Sequence, residues 1–336
     1  MPVRIRTASP EDGPAVSRVH ASTVDHWWRA APDGEPVSAS FDELTDFERF
    51  QTGGPWMDAG LCQEHLAQVL ESGQWPLVAV DPSGRVVGEV EVVVGPDPDW
   101  GPTAHVDVLA VERGFQGRGI GAALMEDVRS RALRANCATI STNPEEAAVG
   151  FYRKCGLTRV LCRQVAIRLP ARGPVRRSGA PVPRARIDEL WSASPRRLAL
   201  GRFHPSYATW IKRAWTPAAF ADRLAPEEGL LEESGTVYRL RPSPLGARRC
   251  SAYAWVDRPA KASALLRDLG ERAGARGFDT LETTVDVGDR EEGRLLGGRI
   301  GEETILIGGA LPGTRRRDGG PARPGDREPV GPRAAR

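Results

Sequence analysis

Leu109 to Val128 reads LAVERGFQGRGIGAALMEDV, which sets a strand, a glycine-rich loop and a helix N-terminus in immediate succession. Gly117, Gly119 and Gly121 let the backbone come close to an anion, the loop N–H groups point inward, and the positive end of the helix dipole adds attraction. The junction is a phosphate-binding candidate. Read alone, it also fits a tight strand-to-helix turn that holds no ligand. Spacing excludes two familiar phosphate folds. There is no GxxxxGK[ST], and a dinucleotide fold wants its glycine turn after the first strand of a βαβ unit, with an acid about twenty residues on.

Upstream, WPLVAVDPSGRVVGEVEVVVG and TAHVDVLAV are β-branched and bounded by Gly and Pro, which predicts three antiparallel strands ahead of the loop. Before them stand a short strand at Val3 and Ile5, a helix opened by Ser9 and Pro10, an aromatic-rich stretch from Asp25 to Gly60, and a helix from Leu61 to Glu71. Downstream, the pattern predicts a helix from Ala122 to Asn136, the strand CATIST, a helix from Glu145 to Lys154 and two closing strands between Leu157 and Leu169. Residues 171–184, rich in Pro, Gly and Arg, read as a linker. Beyond it, helices are expected at Ile187–Leu200, Pro217–Leu224, Lys261–Gly274 and Asp289–Leu296, with strands at Thr236–Leu240, Cys250–Val256, Thr280–Val285 and Thr304–Ile307. Residues 313–336 read as a disordered tail.

At 336 residues the chain is long enough for two domains. A formal charge of +2 supplies no long-range field toward nucleic acid or membrane, so the expected partner is a small molecule. Lysine occurs only at positions 154, 212 and 261 in an arginine-rich, GC-type composition that reads as bacterial. Five cysteines without a CxxC pair suggest neither disulfides nor a metal site. The polar start MPVRIRTASPEDG and the lack of any run near the ~18 apolar residues of a membrane span make a cytoplasmic protein the expectation. The oligomeric state, monomer or homodimer, is left open.

Gln116-Gly117-Arg118-Gly119-Ile120-Gly121 matches Q/R-x-x-G-x-G/A, and FYRKCGLTRV (Phe151–Val160) supplies a helix tyrosine before a Gly-Leu strand. In these motifs and their order, residues 1–170 resemble the GCN5-related N-acetyltransferase (GNAT) family. The resemblance implies an α/β (α+β) fold with a mixed, mostly antiparallel sheet flanked by helices, acetyl-CoA as acyl donor, coenzyme A as product, and no metal. It places the pyrophosphate on Gln116, Gly117, Arg118, Gly119, Ile120, Gly121 and Ala122, and the pantetheine arm along the backbone of Leu109 and Val111. Asn143 is a further cofactor candidate, although NPEEAAVGFY is two residues longer than the family's usual spacing.

The implied reaction, attack of an amine on the thioester, needs a base, an N–H for the carbonyl oxygen and an acid for the thiolate. Tyr152 stands where the family places its acid; a core aromatic is the alternative. His105 and Asp107, two apart on one strand, share a face, and His105 falls where some members carry a glutamate base; a structural histidine fits as well. Glu91, with Glu89, shares a face of the preceding strand, which reads either as an acidic cleft for a cationic amine with Glu91 as water-mediated base, or as a solvated sheet face. Trp27, Trp28 and Trp56 either wall that cleft or simply pack.

The order of elements over residues 185–312 echoes the back half of the first domain, which points to a second, degenerate copy. AYAWVDRPAKASALLRDLGERA replaces the loop string, and Pro259 removes an N–H where donors are needed. The expected activity is acetylation of a small-molecule amine. The alternatives are acetylation of a protein lysine or N-terminus, and a non-catalytic acyl-CoA sensor.

Overall fold

The computed structural model describes residues 2–31, 36–171, 182–246 and 248–312. The chain runs β1 (Arg4–Thr7), α1 (Gly13–Ala21), a two-stranded ribbon β2 (Trp28–Ala30) and β3 (Pro36–Ser38), α2 (Asp46–Gly53), α3 (Ala59–Glu71), β4 (Trp75–Val80), β5 (Val86–Asp97) and β6 (Gly101–Val111). Then follow α4 (Ile120–Arg134), β7 (Thr139–Thr142), α5 (Val149–Lys154) and β8 (Arg159–Pro170). The second half holds α6 (Arg184–Ala193), β9 (Arg197–Leu200), α7 (Ser206–Lys212), β10 (Glu227–Leu231), β11 (Thr236–Pro242), β12 (Arg249–Val256), α8 (Ala262–Ala275), β13 (Thr280–Asp286), α9 (Arg290–Leu295) and β14 (Arg299–Ala310). Capping starts the helices where the sequence offers it: Thr45 and Glu48 form a reciprocal box on α2, and Asp58 accepts from the N–H groups of Gly60 and Leu61 on α3.

Twelve strands form one continuous sheet in the order β1-β4-β5-β6-β7-β14-β8-β13-β12-β11-β10, with β9 added on β12. All neighbours are antiparallel except β6 with β7 and β12 with β13. Each parallel pair is bridged by one helix, α4 or α8, that packs on the sheet.

The centre of the sheet is an exchange. β8, from the first half, pairs with β13 from Thr280↔Pro170 to Asp286↔Gln164; β14, from the second, pairs with β7 from Ile307↔Thr142 to Ala310↔Thr139. The cores follow suit. Val165, Ile167 and Leu169 are buried among Leu240, Leu265 and Leu281, while Ile307 and Leu311 lie among Leu124, Val128 and Ile140.

The mixed, mostly antiparallel sheet flanked by helices agrees with the expected fold class. Three local expectations change. Between Leu157 and Leu169 a single strand forms, β8 from Arg159, since VLCRQVAIRL contains no turn residue, and β14 takes the place expected for a second closing strand. The helix expected to reach Leu200 stops at Ala193, ahead of Pro195, and the chain continues as β9. At 217–224 only a short 3-10 turn, Ala218–Phe220, forms, while α7 and β10 arise in segments without a clear period. The tail 313–336 and most of the linker, 172–181, lie outside the described residues. Among the described residues no helix is long and apolar enough to cross a membrane.

Candidate active site

β6 ends at Val111, and a 3-10 turn at Arg113–Phe115 leads to the glycine loop. The Gln116 amide donates back to Val111 O at 3.1 Å and closes the base of the loop. Gly117 (φ 73°) and Gly119 (φ 82°) are left-handed, a conformation other residues adopt only with strain. Gly119 is also the N-cap of α4 and brings no side chain to cover the first N–H groups, which have no partner within the helix. Gly121 lies against Phe151, where an added Cβ would stand 3.2 Å from the ring. Buried Ile120 anchors the turn, Ala122 is exposed, and the Arg118 guanidinium rests 5.1 Å from the centre of the Phe115 ring. The result is an open ring of backbone donors at a positive helix end, which fits a diphosphate.

Next to it the sheet forks. The parallel ladder of β6 and β7 runs from Thr103↔Thr139 to Val106↔Thr142 and stops. A bulge follows at Asp107, because Glu91 faces Val108 while Val92 faces Val106. From 107 to 111, among the described residues, β6 takes no strand partner but β5, so its backbone edge there, with the Val111 carbonyl accepting from Gln116, is open to an extended ligand. Tyr152 sits in the crotch of the fork. Its hydroxyl is hydrogen-bonded to Thr142, whose own hydroxyl donates to Val106 O at 3.0 Å, and burial pushes the phenol up to about 12. Asn143, just past β7, donates to Phe203 O of the second half at 2.8 Å.

The β5–β6 register brings Glu89, Glu91 and His105 onto one face, where each meets a histidine. His20 Nε2 lies 2.9 Å from Glu89, His65 Nε2 lies 2.9 Å from Glu91, and the Trp56 indole donates to Glu91 at 2.8 Å. Both glutamates are fully buried. Burial, then the adjacent Glu91 carboxylate, raises the Glu89 carboxyl well above its ordinary range, and burial lowers His20 to about 4.

At the bulge, Lys212 donates to Asp107 and lies 3.1 Å from His204 Nε2. His204 Nδ1 is 3.0 Å from His105 Nε2, and His105 Nδ1 is 3.0 Å from Ser141 Oγ. An ammonium only donates, so His204 accepts at Nε2 and donates from Nδ1, and His105 then donates to Ser141. Burial and the nearby charges hold both imidazoles below their usual range. Burial alone would raise Asp107, but Lys212 and the two histidines outweigh it and keep the carboxylate ionised. Asp107 Oδ2 is buried without a hydrogen-bond partner. Ligand atoms of His105, Asp107 and His204 lie within 4.8 Å of one another, a spacing that would suit a metal, and the Lys212 ammonium supplies the positive charge at that carboxylate.

A cavity of about 300 Å³ opens on this wall. Asp107, His65 and Trp56 line it from the first half; His204, Lys212 and Trp215 line it from the second. Of the candidate side chains, Asp107 reaches the cavity, while Glu91 stands behind His65 and Trp56. Trp27 packs edge-on against Phe41, Trp28 lies in the β2–β3 ribbon, and neither is among the lining residues. Sequence reasoning passed over His20, His65, His204, Lys212 and Trp215. The available signals were His20 and His65 on the apolar stripes of α1 and α3, and Lys212 as one of three lysines in the chain.

Residues 25–157 match the family described as the acetyltransferase (GNAT) family. A glucosamine 6-phosphate N-acetyltransferase of Trypanosoma brucei brucei is 29% identical over 77 residues, covering 22% of this chain and 52% of the relative, so the chain spans about half the length of that curated protein. Among solved structures, a GCN5-related N-acetyltransferase from Anabaena variabilis ATCC 29413 superposes with a TM-score of 0.57 at 13% identity, covering 91% of this chain and 72% of that one. Another, from Kribbella flavida, gives 0.53 at 17% identity, with 91% and 70% covered. At these identities the likeness is one of fold, and its coverage extends over both halves.

Proposed function

We propose, on the premise that residues 25–157 match the acetyltransferase (GNAT) family, that the chain moves an acetyl group from acetyl-CoA to the primary amine of a small molecule held in the cavity between its two halves. One observation carries this reading: the free edge of β6 at 107–111 runs from the glycine loop to the cavity wall at Asp107, so a thioester laid along it ends beside an ionised carboxylate. The loop 116–122 holds the pyrophosphate, and Leu109 and Val111 pair with the pantetheine arm.

Asp107 attracts the incoming ammonium, and His204 Nε2, released by Lys212, takes a proton from it so that the neutral amine attacks the thioester carbon. Tyr152 stays protonated at neutral pH and donates to the departing thiolate. Glu91 orients His65 and Trp56, and Glu89, its carboxyl raised by burial, lies beside it. The small, aromatic-walled cavity favours a free amine over a protein lysine.

Residues 185–312 read as a second copy of the same plan, in which β12, α8, β13, α9 and β14 repeat β6, α4, β7, α5 and β8. On this reading the two copies have exchanged their last strands.

The test is calorimetric titration with acetyl-CoA, followed by turnover with an amine panel in the wild type and Tyr152→Phe. One site per chain is expected, and Tyr152→Phe should lower kcat by about 10²-fold with acetyl-CoA affinity unchanged. Absence of acetyl-CoA binding overturns the reading; unchanged kcat in the variant removes Tyr152 from it.

A further inference from the structure

The cavity has two chemically opposed ends. Asp107 marks one. The other is lined by Arg213, just after α7, and by Arg239 and Arg241, two apart and so on one face of β11. Arg239 is only 3% exposed. Its partners are the Arg213 carbonyl and Glu228, 3.4 Å away; Glu228 is shared with Arg213 at 3.6 Å, and Arg213 also pairs with Asp188. Among the described residues no ion pair reaches Arg241, and the Nε atoms of Arg239 and Arg241 are buried without a hydrogen-bond partner. Glu228 is thus shared between two guanidiniums, and Arg241 beside them has no ion pair among the described residues. Burial, followed by the repulsion of Arg241, lowers Arg239 to about 10, although Glu228 pulls the other way.

Resting on the reading of this cavity as the acceptor site, we infer that the acceptor amine carries a compact oxyanion, a carboxylate or a phosphate, which docks on Arg239 and Arg241 while its amine faces Asp107. A buried cation without a full complement of partners is costly, and an anionic occupant removes that cost. The planar guanidinium fork matches both oxyanions, and paired recognition at two ends of a small cavity fixes which nitrogen meets the thioester. The arginine wall lies entirely outside the family-matched residues 25–157, so the second half acts as the selector of the substrate.

The test uses matched acceptors on the full chain: propylamine against β-alanine for the carboxylate, and glucosamine against glucosamine 6-phosphate for the phosphate. Each is titrated calorimetrically with coenzyme A present and assayed for kcat/KM with acetyl-CoA. An anionic member should bind and react roughly 10-fold or more better than its neutral partner. Arg241→Gln should erase that ratio, chiefly through KM, leave acetyl-CoA binding unchanged, and be rescued in part by Arg241→Lys. The preferred pair distinguishes carboxylate from phosphate. Equal binding of neutral and anionic members, or an equal loss for all acceptors in Arg241→Gln, overturns the inference. Anion binding that depends on Arg241 without acetylation of any amine upholds the oxyanion site and instead removes the catalytic reading.

Discussion

β6 enters α4 through the glycine loop at 112–119, and β12 enters α8 through residues 257–261; both helices return the chain to a parallel neighbour, β7 or β13. In the first half the parallel ladder stops at Val106↔Thr142 and the edge beyond it stays free. In the second it stops at Ser251↔Glu282, and β9 takes the edge beyond, with Leu198 opposite Trp255 and Leu200 opposite Ala254. Trp255 also pairs with Val237 of β11, so β9 must occupy the opposite edge, the one corresponding to the open slot of β6. The helix ends differ in the same sense. α4 starts at an uncapped left-handed Gly119, whereas at α8 the Glu292 carboxylate of α9 accepts from Ser263 N at 2.7 Å. The second half supplies, from its own chain, a strand and an anion in the two places where the first is proposed to receive pantetheine and pyrophosphate. On the proposed reading, a repeated fold need not carry a repeated site, since a slot can bind only where its backbone donors have no internal partner.

The largest effect expected from this comparison follows from closing the open slot. Gly119→Val with Gly121→Val forces a β-branched residue into a left-handed position, at ~1–2 kcal/mol, and sets a side chain against Phe151. Acetyl-CoA affinity should fall by about 10²-fold or more, while the mirrored change Pro259→Gly should leave one site per chain by calorimetry. Unchanged affinity in the valine variant, or a second site in Pro259→Gly, breaks the comparison.

A smaller effect separates the halves by pH. Four of the five histidines sit on the first-half wall or face it, whereas the opposing wall carries arginines. The folded pKa of His20 is about 4 against an ordinary 6.5, so its stabilising contribution is present above 6.5 and is lost as pH falls toward 4. Glu89 has the opposite sign: raised in the fold, it contributes stability below its ordinary 4.5 that is lost as pH rises. Between 4.5 and 6.5 the two groups act with opposite signs as pH falls, His20 lowering stability and Glu89 raising it, so their slopes offset each other. Glu89→Gln removes the cancellation. Denaturant titrations at pH 7 and pH 5 should show about 2 kcal/mol more acid destabilisation in the variant than in the wild type; parallel losses would mean that the pair is not neutral in the fold.

The proposed first-half site is legible in the sequence because its chemistry is local. Gly117, Gly119 and Gly121 announce a backbone shape, and the alternation of Glu89, Glu91, His105 and Asp107 fixes a face. What stayed hidden depends on distant parts of the chain. Alternation in β8 and β14 shows which side chains are buried but not which strand lies alongside, so the exchange could not be read. His204 and Lys212 reach Asp107 across about a hundred residues of sequence, from a segment with no period of its own. β9 was absorbed into an expected helix, although Ser194-Pro195 marked the break, and with it went the physical reason for a closed second slot.

The smallest effect tests that closure directly. Glu292 is half-buried, and the hydrogen bonds from Ser263, first its backbone N–H and then its side chain, lower its carboxyl below the ordinary range. If the carboxylate occupies the anion position of α8, Glu292→Gln removes its charge from the helix end while retaining an acceptor oxygen. The expected cost is about 0.5–1 kcal/mol by thermal or denaturant unfolding, shrinking at high salt. Coenzyme stoichiometry should remain one per chain because β9 still fills the edge of β12. A gain of a second acetyl-CoA site in Glu292→Gln would show that the carboxylate alone had kept the ligand out; no change in stability would show that the helix end never needed an anion.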